Sequence, residues 1–188
     1  IVLIAGGPDL LRALRAGSHS PAELRRLRAL HAVVHPVVTA FAPQVLVTQH
    51  GCDSHYSDPL AHMVLTVDAQ KMAHQSLHEL AHDVCDGRWV ALGGGGYELV
   101  RVVPRSWTHL VAVAAGDPIG LARPVPEAWR DHIREAYGTD PHPSMGDDVD
   151  LWWRSWEVGF DPDDPTDRVV MATRRAVFPL WGLDPWYD

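Results

Sequence analysis

Cysteine is scarce in this 188-residue chain, occurring only as Cys52 and Cys85. That argues against a disulfide framework, and two thiolates alone do not build a zinc site; two buried thiols in a reducing compartment is the plain reading. Long apolar runs are missing as well, and none approaches the ~20 residues needed to span a bilayer. The segment Ile1 to Ala5 is too short for a signal-peptide core and no basic segment precedes it, so a cytoplasmic protein without a membrane partner is expected. Basic side chains are outnumbered, 16 Lys and Arg against 24 Asp and Glu, for a net charge of −8. A nucleic-acid partner is thereby disfavoured, because phosphate-backbone binding needs a cationic face. The first residue is Ile rather than Met, which suggests a fragment or a processed chain.

What remains is an ordinary globular composition, 46% hydrophobic and 21% charged, long enough for one domain or a large piece of one. Ser20-Pro21-Ala22-Glu23 reads as a helix start with a capping box. The stripe Leu24, Leu27, Leu30, Val33, Val34, Val37, Val38, Phe41 continues that helix, with a kink or early end expected at Pro36. Val45-Leu46-Val47 reads as a buried strand, residues 52–59 as the loop beyond its carboxyl end, and Asp68 as the cap of a second helix that stops at Asp86-Gly87. Trp89-Val90-Ala91-Leu92 reads as a second buried strand running into four glycines. Strand, helix and strand in that order make a βαβ unit with parallel strands, whose ligands gather beyond the strands' carboxyl ends. Further helices are predicted over 99–115, with Val103, Trp107, Leu110, Val111 and Ala114 inward, over 127–137 and over 166–178. The acidic, Pro-rich stretch 139–165 reads as irregular covering, packed through Trp152, Trp153 and Trp156. No internal repeat is present.

Three constellations could carry chemistry. His78-Glu79-Leu80-Ala81-His82 fits H-E-x-x-H, which on a helix offers two imidazoles to zinc and a glutamate as general base. Leu77, Leu80, Ala81 and Val84 claim the core stripe, however, which sets both histidines at its margin, so a solvated row is the stronger reading. The second is Gln49-His50-Gly51-Cys52-Asp53-Ser54-His55. Here Asp53 fits either a metal ligand or a turn-capping carboxylate, and His50 and His55 fit ligands or proton carriers. The third is Gly93-Gly94-Gly95-Gly96-Tyr97. Four glycines are costly in conformational entropy and suit a place where substrate touches bare backbone, with the Tyr97 hydroxyl available to a developing oxyanion. A phosphate-binding loop is excluded because Tyr97-Glu98 stands where Lys-Ser/Thr is required.

The run from Val45 to His109, with Q-H-G-C-D-S-H, D-P-L-A-H, L-G-G-G-G-Y and R-S-W-T in order, resembles the C-terminal half of the zinc-dependent histone deacetylase family. The resemblance extends from about Leu27 to the C-terminus, leaving residues 1–26 unassigned. It implies an α/β fold of the arginase/deacetylase type, a parallel sheet flanked by helices, present as a partial domain. It also implies that Asp53 is a zinc ligand and that Tyr97 hydrogen-bonds the scissile carbonyl. Gly94, Gly95 and Gly96 then line the acyl-lysine tunnel, and the substrate is an acetylated protein lysine or a small acetylated amine. Seven of the eight tryptophans, from Trp107 onward, fall in the part that would wrap such a core.

The family pattern also has an adjacent His-His pair and a D-x-H ligand pair upstream of these motifs. This chain contains no His-His dipeptide; Asp53-Ser54-His55 and Asp140-Pro141-His142 fit D-x-H, the first already matched to the later aspartate and the second in the irregular tail. One zinc ligand of three is therefore accounted for, and a lone carboxylate holds zinc weakly. Two alternatives stand beside a deacetylase: an H-E-x-x-H hydrolase, and an inactive domain remnant serving as a binding module.

Overall fold

The computed structural model describes residues 22–60, 63–149, 151 and 153–188, so Ser20 and Pro21 of the expected capping box, along with Trp152, lie outside the described residues. The described residues fall into two compact units. One comprises the chain through Val47, Glu79–Val90 and the segment up to Asp188, and the other Thr48–His78 with Ala91–Leu151.

In the first unit a single helical rod is built from α1 (Ala22–Ala29), a π-helical turn (Leu30–Val34) and α2 (His35–Phe41). The helix continues past Pro36 to Phe41, so the proline does not end it. Proline has no N–H for the carbonyl four residues back and its ring crowds that carbonyl, and the wider π turn, in which the His35 N–H bonds the Leu30 carbonyl, precedes it directly. Leu27, Ala32, Val37 and Val38 are buried, and the rod ends at Ala42 in the left-handed region, φ 49°. A later helix of the same unit packs on this rod. Arg28, on α1, donates through Nε to Asp167 Oδ1 (2.5 Å) and through Nη2 to Asp167 Oδ2 (2.6 Å), with both side chains buried. The same guanidinium reaches the carbonyls of Ser155 and Gly159 and lies 4.6 Å from the Trp156 ring. Trp153 stacks on His31 at 4.5 Å. The acidic stretch is thus pinned by its tryptophans, as expected.

The strands are β1 (Leu46–Gln49) and β2 (Trp89–Leu92). Leu46 N–H donates to the Arg88 carbonyl and His50 N–H to the Leu92 carbonyl, which is parallel register, so the predicted α/β architecture with a parallel sheet flanked by helices is present. Between them runs α3 (Val67–Cys85), ended by Asp86 and Gly87, both at positive φ. The strands are not buried on both faces as predicted. Val47, Val90 and Leu92 are each about half exposed, because residues alternate sides along a strand and only one side is packed.

The second unit adds α4 (Val103–Ala114) and α5 (Glu127–Tyr137), the latter closed by Gly138 in the left-handed region as predicted. Helix α4 turns a different face inward from the expected one: Arg105, Ser106, His109, Leu110 and Val113 are buried, whereas Val111 is exposed. Two of the polar members bond to the irregular segment. Arg105 donates to the Gly146 carbonyl (2.9 Å) and to Asp147 Oδ1 (2.8 Å), and His109 Nε2 meets the Met145 carbonyl (3.0 Å). Asp68 does not cap α3. Thr66 Oγ1 accepts the Ala69 N–H and Asp147 Oδ2 accepts the Val67 N–H (2.7 Å), while Asp68 accepts the Asp147 N–H. The first unit carries the last helix, α6 (Pro165–Val177), capped by Asp164 through the Thr166 N–H. It is α6 that packs on the long rod.

Candidate functional site

Both chemically loaded loops leave the carboxyl ends of β1 and β2, and the second unit holds them in contact. The Cys52 N–H donates to the Gly95 carbonyl (2.7 Å), and the Trp107 indole N–H to the His50 carbonyl (3.0 Å). The glycines are required by close approach. A Cβ on Gly94 would stand 2.9 Å from the Gly51 backbone, one on Gly95 2.5 Å from Asp53 Oδ2, and one on Gly96 2.5 Å from Cys52 Sγ. Asp53 and the Gly94-Gly95-Gly96 run, separated by one helix in sequence, are therefore neighbours.

The two readings of Asp53 differ in what its carboxylate should touch. A turn-capping aspartate accepts backbone N–H groups. Among the described residues no group donates to the Asp53 carboxylate, which is half-buried against Gly95. Tyr97 is 53% exposed, and among the described residues its hydroxyl has no partner.

The neighbouring histidines are otherwise employed. His55 Nδ1 accepts the Ser57 N–H (3.0 Å), which leaves Nε2 to donate to Asp147 Oδ2 (2.9 Å), so no lone pair remains for a metal. His50 Nε2 meets Thr48 Oγ1 (2.6 Å), and its ring lies edge-on to His74. Burial pushes the Cys52 thiol up to about 11, with the charges of Asp53 and Asp58 adding to it, so the thiol is protonated at neutral pH and is no nucleophile. For Asp147, burial pushes the carboxyl up, but the hydrogen bonds from His55 and the Val67 amide, with the Arg105 guanidinium, outweigh it. They hold the group well below the usual carboxylate range.

In the H-E-x-x-H run His78 is half-buried and His82 exposed, at the margin of the core stripe. Leu80 and Ala81 are buried, Glu79 and His82 are exposed, and the His82 ring lies against Gly87. Among the described residues no group of three or more His, Cys, Asp or Glu side chains is placed to hold a metal ion. Asp140 pairs with Arg134 (2.8 Å) and His142 with the Ser144 carbonyl (3.0 Å), so that D-x-H run is not a ligand pair either.

Asp58 had no role in the sequence reading. It is 3% exposed, its Oδ1 accepts the Leu60 N–H (2.9 Å), and its Oδ2 accepts those of Tyr97 (2.7 Å) and Glu98 (3.3 Å). The available signal was Asp58-Pro59-Leu60 within D-P-L-A-H, of which Ala61 and His62 lie outside the described residues.

A histone deacetylase domain model matches residues 18–114, just over half of the chain. Over 103 residues the sequence is 38% identical to the acetoin utilization protein AcuC of Bacillus subtilis (strain 168), covering 55% of this chain and 26% of that protein. Over 98 residues it is 38% identical to AcuC of Staphylococcus xylosus, covering 51% and 25%. Among solved structures, the crystal structure of the HDA15 HD domain aligns at 27% identity with a TM-score of 0.45, over 52% of this chain and 27% of that one. The matched segment thus spans about a quarter of the length of the curated relatives.

Proposed function

The chain belongs to the histone deacetylase domain family, and on that premise we propose that the protein hydrolyses acyl-lysine amides with zinc as cofactor, acting in the cytoplasm on an acetylated protein lysine or a small acetylated amine. The observation that carries the reading is the Asp53 carboxylate, free of hydrogen bonds among the described residues and set against the Gly95 backbone. Asp53 fits zinc as one hard oxygen ligand. It cannot retain the ion alone, and the proposal assigns the remaining ligands and the histidine general base to residues outside these motifs. Zinc bound there would polarise the scissile carbonyl and acidify a water.

The residues of this chain do the rest. The bare backbone of Gly94, Gly95 and Gly96 receives the extended acyl-lysine chain without side-chain obstruction. The exposed Tyr97 hydroxyl donates to the carbonyl oxygen, and that bond strengthens as the oxygen gains negative charge, so it lowers the barrier rather than tightening substrate binding. In this reading residues 27–188 belong to one deacetylase-like domain.

The test is hydrolysis of an acetyl-lysine peptide by the zinc-loaded full-length protein carrying this sequence. Tyr97→Phe is expected to cut turnover about 10²- to 10³-fold and Asp53→Asn to abolish it, while His78→Ala leaves it intact. The opposite pattern would overturn the proposal in favour of H-E-x-x-H chemistry, and wild-type protein that neither retains zinc nor turns over would point to a binding module.

A further inference from the structure

Tyr97 follows four consecutive glycines, the most flexible backbone the chain possesses. A hydroxyl that must meet a developing oxyanion cannot be carried on a loose tether, since a misplacement of about 1 Å can cost ~10²-fold in rate. Two struts hold the tether. One is the Cys52 N–H to Gly95 carbonyl bond, which fixes the glycines to the Asp53 loop. The other is Asp58. Its carboxylate is buried, spends one oxygen on its own loop at the Leu60 N–H, and spends the other on the N–H groups of Tyr97 and Glu98. No arginine, lysine or histidine pairs with Asp58 among the described residues, so backbone amides are its partners.

We propose that Asp58 is a positioning residue for catalysis, a buried carboxylate that clamps the Tyr97 backbone to the loop bearing Asp53 and so sets where the Tyr97 hydroxyl meets the substrate carbonyl. The inference rests on the deacetylase reading given above. A full carboxylate is needed because the three amides approach from two sides. Asparagine offers one oxygen and turns an NH2 group toward the other side, so it keeps either the Leu60 bond or the Tyr97 and Glu98 bonds.

The experiment compares Asp58→Asn, Asp58→Ala, Tyr97→Phe and the Asp58→Asn/Tyr97→Phe double variant in zinc-loaded full-length protein. Peptide deacetylation, zinc content and amide hydrogen exchange at Tyr97 and Glu98 are measured. Asp58→Asn is expected to lower kcat about 10- to 100-fold with KM and zinc content within about twofold of wild type, since oxyanion contacts act in the transition state. Exchange at the Tyr97 and Glu98 amides should accelerate at least tenfold in both Asp58 variants, because the single asparagine oxygen stays with the Leu60 amide two residues on in its own loop, and the Asp58→Asn effect on kcat should vanish in the Tyr97→Phe background because the two act as one unit. Unchanged exchange, or an Asp58→Asn effect that multiplies with that of Tyr97→Phe, overturns the inference while leaving the deacetylase reading intact. A Tyr97→Phe variant with full turnover overturns the deacetylase reading and the inference with it. If Asp58→Ala does not fold, Asp58→Asn alone decides between these outcomes.

Discussion

The guanidinium of Arg174 donates through Nη1 to the carbonyl of Ala32 at 2.5 Å. Ala32 is the residue whose helical partner would be the N–H of position 36, and position 36 is proline. An arginine 142 residues away in sequence thus serves the carbonyl that Pro36 cannot, where the rod widens into its π turn. Arg174 is fully buried, its Nε meets the Pro185 carbonyl (2.7 Å), and its head lies 4.2 Å from the Phe178 ring and 5.0 Å from the Trp156 ring.

A double-mutant cycle follows from that relationship. Arg174→Met should destabilise the protein by about 3 kcal/mol in urea denaturation, since it strands a buried carbonyl and removes the contacts with both rings. In a Pro36→Ala background the restored N–H can serve Ala32, and the cost should fall by about 1 kcal/mol. Equal costs in the two backgrounds would show that the arginine does not answer the proline.

The same pair marks where reading the sequence succeeds and where it stops. Local signals were legible: Gly138 ends α5, Asp86-Gly87 ends α3, and both strands and both loops stand where β-branched runs and glycines put them. The contact between the Asp53 loop and the glycine run follows from the parallel pairing of β1 and β2. Apolar periodicity misled on α4, because its inward face is paid out in Arg105 and His109, whose partners Asp147 and Met145 lie some 40 residues away. Asp68 looked like a cap for the same reason, since Asp147 reaches the end of α3 from a segment with no regular structure. Asp58 was invisible as a clamp because its oxygen binds backbone N–H groups, which any residue type supplies.

His35 and Asp147 should lose their stabilising contributions in different pH ranges. Burial, reinforced by neighbouring His31 and partly opposed by Asp83, lowers His35 to about 4, against about 6.5 in an unfolded chain. Between those values the unfolded state binds more protons, so the neutral-His35 contribution is complete above about pH 6.5 and is lost as pH falls toward 4. Asp147, also held low, contributes above its unfolded value of about 3.9, and that contribution is lost only at more acidic pH. Denaturation midpoints should therefore drop between pH 7 and 4.5 in wild type, and the drop should shrink in His35→Gln but persist in Asp147→Asn. The same pH slope in His35→Gln as in wild type would refute the assignment.

Gly95 separates the geometry of the proposed metal ligand, Asp53, from general stability. Its backbone carries no positive φ, so alanine is conformationally allowed there, but the added methyl would stand 2.5 Å from Asp53 Oδ2 and 2.7 Å from Cγ. The carboxylate must therefore move. Gly120 provides the control, with open space around its Cα and no positive φ. In zinc-loaded full-length protein, Gly95→Ala is expected to weaken zinc retention about 10- to 100-fold, the range seen when a ligand's orientation is disturbed, with a stability loss of about 1–3 kcal/mol from local overpacking. Gly120→Ala should leave both unchanged. Metal content read by competition with a chelator, beside a melting curve, checks the two effects separately. Wild-type zinc affinity in a folded Gly95→Ala protein would remove Asp53 from the metal centre.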